Sequence, residues 1–305
     1  MSDPAPEPPS LPPPSRSRAA EWSVTAPSLL WLLALFVAPT LIVFAIAFKP
    51  ADPLGGIGSG WTLDTLRSLA NPNYPVIIWR TIWISAVATV FCLLLAVPAG
   101  YCIARTSKKL RQFLLLLVIV PFWTSFLVRI FAWKHILHPE GLIKHTLVAL
   151  HLSPPETPLL YTPGAVLLVM VYTGLPFAIL PIYAGAEKFD FQLVEAALDL
   201  GCSRWQAFWR VFLPGISRAL LTAFLVTFIP SLGSYVIPDV VGGPGSEMLG
   251  NKIAQRVFTD RNLPHGAALA ALLTVAVLIP LILAVLSRRA SAKGGLAKAE
   301  GGALR

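Results

Sequence analysis

Val76-Ile-Ile-Trp-Arg-Thr-Ile-Trp-Ile-Ser-Ala-Val-Ala-Thr-Val-Phe-Cys-Leu-Leu-Leu-Ala-Val-Pro-Ala-Gly-Tyr-Cys-Ile-Ala104 carries one charge, Arg80, close to its start. A bilayer is crossed by about 20 mostly apolar residues, so this stretch reads as a membrane helix. Five further runs have the same character: Leu29 to Phe48, Phe113 to Trp133, Gly164 to Ala184, Ala219 to Pro238 and Gly266 to Leu286. Six spans are expected, in an all-α integral membrane protein. The first run follows Arg16 and Arg18 as a secretory signal would. It is longer than a signal's apolar region, and Ala45-Ile-Ala47 is a poor cleavage match, so it is expected to stay as a span.

Composition agrees with the count of spans. Of 305 residues, 55% are hydrophobic and 13% charged, roughly half the charged share of a soluble domain, and mean hydropathy is +0.70. A large soluble enzyme domain has no room. Cys92, Cys102 and Cys202 are an odd set at wide spacing, which argues against a secreted disulfide framework. Seven prolines crowd the first 14 residues, a composition that packs no core. The expected organisation is a disordered cytoplasmic tail over 1–26, a six-span domain over 27–289 and a second cytoplasmic tail over 290–305.

Lys and Arg are retained on the cytoplasmic side during insertion, most strictly in short loops. With both termini inside, fifteen of the 24 fall on that side, and the densest cluster, Arg105, Lys108, Lys109 and Arg111, sits in the shortest loop. The net charge of +9 is therefore mainly topological. Nucleic acid is not expected as a partner; the lipid bilayer is.

Every expected span contains proline: Pro39, Pro98, Pro121, Pro176 with Pro181, Pro230 and Pro280. Proline bends a helix and frees carbonyls that then need protein or water, so bent helices around a translocation pathway are expected. No Asp or Glu lies mid-span, which disfavours an ion-coupled carrier, since such carriers use an intramembrane carboxylate. The nearest match to a phosphate-binding loop, Gly245 to Gly250 before Asn251-Lys252, lacks the Gly-Lys-Ser/Thr ending. ATP hydrolysis, if used, belongs to another chain.

Between the fourth and fifth runs lies Lys188-Phe-Asp-Phe-Gln-Leu-Val-Glu-Ala-Ala-Leu-Asp-Leu-Gly-Cys-Ser-Arg-Trp-Gln-Ala-Phe-Trp-Arg-Val-Phe-Leu-Pro214. Asp190 suits a helix cap with Phe189 and Val194 as a hydrophobic staple, and Gly201 a left-handed stop. Ser203 and Gln206 have the spacing of a capping box for a second helix that Pro214 would end. Trp205, Phe208, Trp209 and Phe212 then form an aromatic stripe opposite Arg204 and Arg210. Own-chain packing and contact with a partner are both open readings of that stripe.

Glu195-Ala196-Ala197, Gly201 and Leu213-Pro214 resemble the EAA loop of ABC importer membrane subunits. Pro121-Phe122-Trp123-Thr124-Ser125-Phe126-Leu127-Val128-Arg129 with Ala132-Trp133, Leu175-Pro176-Phe177, Leu180-Pro181, Tyr235-Val236-Ile237-Pro238, Gly242-Gly243-Pro244 and Met248-Leu249-Gly250 are similar to the spermidine/putrescine-type branch. The resemblance implies a six-span type I ABC importer permease in the bacterial inner membrane. It implies as partners two ATP-binding subunits, a second homologous permease and a periplasmic solute-binding protein. It places residues 187–215 as the coupling loop, with Glu195, Ala196, Ala197, Asp199, Gly201, Trp205, Phe208, Leu213 and Pro214 as its ATPase-coupling residues. It implies a small amine-bearing solute, putrescine or spermidine. Ser234 departs from the branch, where many members carry an acidic residue before the aromatic. An amino-acid derivative, opine or phosphonate is the alternative.

Phe122, Ser125, Arg129 and Trp133 are expected on one helical face of the third span. Pathway candidates are Trp123, Thr124, Ser125, Arg129, Tyr172, Ser231, Ser234 and Tyr235, since aromatic faces attract ammonium groups; Arg129 alternatively snorkels to the outer interface. His135, His138, His145 and His151 with Glu140 lack metal-site spacing, and no catalytic motif is legible. No metal, cofactor or enzyme activity is expected. The charge count makes a topological prediction: single cysteines near Lys108 or Ser203 stay unlabelled by impermeant thiol reagents in intact cells, and ones near His145 or Glu247 label. External labelling at Ser203 would overturn the six-span arrangement.

Overall fold

The computed structural model describes residues 18–52, 55–152, 154, 156–279 and 282. Helices α1 (Arg18–Leu32) and α2 (Ala38–Ala47) are joined by a π-helical turn, Leu33–Val37, and α3 is the short Asp64–Arg67. Then come α4 (Asn73–Arg105), α5 (Lys108–Ile119), α6 (Phe126–Ile136), α7 (Leu142–Ala149) and α8 (Pro163–Glu187). The chain continues with α9 (Gln192–Asp199), α10 (Arg204–Ala207), α11 (Leu213–Gly215), α12 (Ser217–Leu232), α13 (Val236–Val241), α14 (Leu249–Ala254) and α15 (Leu263–Ile279). Among the described residues the only extended pairing is one bridge, Ala51 to Ile57.

Three helices are long and apolar enough to cross a membrane: Thr25–Ala47, Asn73–Arg105 and Pro163–Glu187. Two bent pairs raise the number to five if each is one span, and α15 is a shorter apolar helix. The rest of the expected sixth span, with Pro280, lies outside the described residues. So do residues 1–17 and 283–305; the described helix already runs from Arg18, inside the stretch expected as a tail.

The centre of the fold is a seam of α4, α8 and α12. Lipid is as apolar as the helices, so burial cannot drive their association; close backbone approach through small residues does. A Cβ on Gly100 of α4 would lie 2.7 Å from the Ile182 side chain of α8. One on Gly174 would meet Cys92 at 3.0 Å and Thr227 of α12 at 3.1 Å, and one on Gly185 would collide with Ala219. Ala88, Cys92 and Ala96 face the same seam fully buried. The first span stands apart. Leu30, Trp31 and Phe36 are exposed, and contact begins only in its last turns, where Val43, Phe44, Ile46 and Ala47 pack on Leu66, Leu69 and α15.

At one end Arg111 ties three elements, pairing with Glu187 of α8 at 2.8 Å and donating to the Ala104 and Thr106 carbonyls. At the other, the buried Thr81 hydroxyl accepts from the Leu249 N–H at 2.8 Å. His265 of α15 sits between Tyr74 and Ser68, with ring nitrogens 2.6 and 3.1 Å from their hydroxyls.

Two expected spans are not single helices. The third run, Phe113 to Trp133, breaks: Pro121 lacks the N–H to continue, Val120–Trp123 tightens to a 3₁₀ turn, and Thr124 and Ser125 are extended. The Lys108–Trp123 and Phe126–Ile136 halves meet at 90°. Phe122 therefore does not share a helix face with Ser125, Arg129 and Trp133. The fifth run, Ala219 to Pro238, ends at Leu232, and Gly233 to Tyr235 lead into α13. The chain enters α12 through another bend, 72°, at Ile216. Pro214 does not stop the helix before it; a π turn at Phe208–Phe212 lets the helix run through to Gly215.

The seam gives a stability prediction. Gly100→Leu should cost about 1–3 kcal/mol through overpacking, read as a lower melting temperature in detergent. Gly245→Ala, with nothing within 4 Å of its Cβ, should leave the melting temperature unchanged. Equal effects of the two would contradict the packing account.

Candidate functional site

Two regions carry the residues singled out by sequence. The first is the helix pair α9–α10. Asp190 accepts a hydrogen bond from the Gln192 N–H at 3.0 Å, opening α9. Ser203 and Gln206 complete the capping box of α10. Gly201 has φ +87°, with its N–H on the Leu198 carbonyl and the Cys202 N–H on the Ala197 carbonyl, the two bonds of a Schellman stop.

Val194 is buried on the inner side of α9, whereas Glu195, Ala196, Asp199 and Gly201 are exposed and Ala197 is partly buried. Leu193 and Leu200 share the open side, Leu200 at 86% exposure. Sequence reading missed both leucines, although Leu200 directly precedes the left-handed glycine.

The aromatic stripe divides. Phe212 is fully buried, with ring centroids 4.8 Å from Tyr101, 5.3 Å from Phe189 and 5.4 Å from Phe208. Trp205 and Trp209 point outward. Arg204 lines the same groove as the tryptophans rather than lying opposite them. Leu213 packs partly buried against this ring cluster, and Pro214 lies at the start of α11. The rings thus join α9 and α10 to the end of α4.

The second region is a cavity of about 460 Å³ among α6, α8, α12 and the chain entering α13. Of the predicted pathway residues it gathers Arg129, Ser231, Ser234 and Tyr235. Thr124 instead donates its hydroxyl to the Pro121 carbonyl, and Trp123 is 77% exposed beyond the bend. Ser125 is exposed at the start of α6 and does not line the cavity. Tyr172 packs edge-on against Trp133, ring centroids 5.3 Å apart. Lining residues not foreseen include Phe126, Thr173, Phe177 and Thr227. Phe177 belongs to Leu175-Pro176-Phe177, and Thr173 directly follows Tyr172.

Arg129 does not snorkel free. Its guanidinium lies 4.4 Å from the centroid of Phe122 and 5.9 Å from that of Phe126. Its Nε and Nη1 are buried without a hydrogen-bond partner. The 90° break, not helical spacing, brings Phe122 onto it. No lining residue is acidic. Hydroxyls of Thr173, Thr227, Ser231, Ser234 and Tyr235, with aromatic faces and one cation, therefore make up the chemistry. Gly250 holds the far wall: a Cβ there would lie 2.5 Å from the Ser234 carbonyl, and Asn251 donates to the Tyr235 carbonyl at 3.1 Å. Among the described residues no three His, Cys, Asp or Glu converge as metal ligands.

A family described as "Binding-protein-dependent transport system inner membrane component" matches residues 96–292. A spermidine/putrescine transport system permease protein of Haemophilus influenzae is 34% identical over 245 residues, covering 80% of this chain and 86% of that one. Its namesake in Escherichia coli K12 is 33% identical over 245 residues, covering 80% and 89%. An inner membrane ABC transporter permease protein of the same strain is 34% identical over 240 residues, covering 74% and 75%. In fold, the chain is similar to one in the crystal structure of a bacterial ABC transporter involved in the import of alginate, an acidic polysaccharide. There the TM-score is 0.67 at 18% identity, over 88% of this chain and 95% of that one.

The Gly201 geometry makes its own prediction. A β-branched residue in the left-handed region costs about 1–2 kcal/mol, so Gly201→Val should speed amide exchange at Gly201's position and Cys202 about tenfold. Gly201→Asn, which tolerates that region, should lose less. Unchanged protection in Gly201→Val would mean that the stop is not set by this residue.

Proposed function

The chain belongs to the family of binding-protein-dependent transport system inner membrane components, and from that premise we propose that it is the six-span permease subunit of an ATP-driven importer for a small amine-bearing solute, a polyamine such as putrescine or spermidine. As an ABC importer permease it is a multi-pass inner-membrane protein and not the ATPase. ATPase subunits and a periplasmic binding protein complete such a system. In the proposed assembly this chain has the type I permease arrangement, both termini in the cytoplasm, two ATPase copies and a second homologous permease beside it.

The observation that carries the solute reading is identity of 33–34% over four-fifths of the chain with permeases named for spermidine and putrescine. The cavity supports an amine through its rings: faces such as those of Phe177 and Tyr235 attract an ammonium by about 0.5–2 kcal/mol each. Carboxylates for a dication would come from the second permease and from the binding protein.

Alternating access supplies the mechanism. Closure of the ATPase dimer pushes on Leu193, Glu195, Ala196, Ala197, Asp199 and Leu200. The ring cluster passes the motion to α4 and α12, and the cavity beside Arg129 opens outward to the loaded binding protein. Trp205, Phe208, Leu213 and Pro214 act within that linkage.

One observation favours a second solute class. Arg129, unpaired and stacked in a wall without carboxylates, repels a dication and suits an anionic group, as on an opine, an amino-acid derivative or a phosphonate. An ion-coupled carrier acting alone is the more distant reading. Uptake of labelled putrescine by the complex reconstituted with its binding protein decides the matter. Competition by unlabelled polyamines is expected, with dependence on ATP and on the binding protein. Competition by an anionic solute instead would overturn the amine assignment and leave the importer standing; uptake without ATP or binding protein would overturn the importer.

A further inference from the structure

A second, larger hollow, about 880 Å³, lies between the last four turns of α4 and the α9–α10 pair, touching the first turn of α12 where the cavity borders its later turns. Its floor is apolar, running from Val90 and Leu94 on α4 to Leu220 on α12. Arg105 and Arg204 stand at its mouth with Trp205 and Trp209. None of its lining residues is acidic, and among the described residues neither arginine has a carboxylate partner. Arg105 is held in place, donating to the Tyr101 hydroxyl at 2.8 Å and lying 5.6 Å from the centroids of Tyr101 and Phe191.

Depth identifies the occupant. From Val90 to Arg105 the helix advances about 22 Å, somewhat more than one leaflet of a bilayer whose apolar core is about 30 Å thick. The apolar part of the hollow thus lies at acyl-chain depth and its two cations at headgroup depth. Tryptophan is enriched at that same boundary, and Trp205 and Trp209 are 68% and 47% exposed there. A protein segment filling the groove would need acidic residues at the mouth and none below. A phospholipid meets both conditions by construction, and basic pockets between helices at the cytoplasmic face bind anionic headgroups.

We propose that the groove between α4 and α9–α10 is a binding site for one anionic phospholipid, its phosphate on Arg105 and Arg204 and its chains along Val90, Leu94 and Leu220. The site is independent of the solute carried; its assignment to the inner leaflet rests on the orientation proposed above. It places a membrane component against the same rings that join the helix pair to α4.

The full chain in mild detergent, titrated with phosphatidylglycerol or phosphatidylcholine under native mass spectrometry, should bind the first about thirtyfold more tightly, as two cations on one headgroup imply. The Arg105→Gln/Arg204→Gln variant should bring the two lipids level. A readout on otherwise unaltered protein covers misfolding of that variant: brominated phosphatidylglycerol should quench tryptophan emission more than brominated phosphatidylcholine, by a margin that disappears in Trp205→Phe/Trp209→Phe. Equal binding or equal quenching of the two lipids overturns the proposal. So does loss of the preference in the complex assembled with ATPase and second permease, because the groove is then a seam between protein chains.

Discussion

Gly100, Gly174 and Gly185 let α4, α8 and α12 approach until side chains from one helix touch the backbone or Cβ of the next. In lipid this contact replaces the hydrophobic effect as the source of helix association, and the remaining elements take their positions from it. The α9–α10 pair hangs beneath the seam through Phe212 and Tyr101. The cavity opens along the later turns of α12 and the lipid-depth groove beside its first turn. Arg111 and Thr81 fasten the two ends with polar bonds, one at the basic loop and one beneath α14.

Around this rigid centre the chain spends its irregular backbone where it lines something. Non-helical segments at membrane depth are tolerated only against protein or a water-filled space. The break after Pro121 is flanked by Phe122 and Phe126, which line the cavity, and the turn at Gly233 to Tyr235 lines it directly. The first break aims α6 so that Arg129 reaches inward; the second presents Ser234 and Tyr235. Proline there acts less as a hinge than as a way of pointing a polar side chain across a helix bundle.

How far the sequence reveals this depends on what each signal measures. Apolar runs report which residues meet lipid or core, and they locate the straight spans closely: Val76 to Ala104 became Asn73–Arg105, and Gly164 to Ala184 became Pro163–Glu187. They carry no direction, so the span prolines point to bends without giving the 90° break after Pro121 or the 72° bend at Ile216. Local stereochemistry was legible, because a capping box and a left-handed glycine depend on neighbours in sequence. Cavity lining was only half legible. Successive helical residues differ by about 100° in direction, so Thr173 lines the cavity while Tyr172, its neighbour, stacks on Trp133. Trp123, Thr124 and Ser125 missed it for the same reason the third span broke.

The ring cluster has a mechanical consequence. Tyr101, Phe189, Phe191, Phe208 and Phe212 sit with neighbouring centroids 4.8 to 6.0 Å apart. Interiors packed to crystal density have little free volume and low compressibility. A load applied from the water side at Leu193 or Leu200 therefore finds no slack to take up before it reaches Tyr101 and the end of α4. Aliphatic side chains, with more rotamers, would yield and absorb part of the stroke. Planar rings, some edge to face and some stacked, make the cluster a strut rather than a cushion.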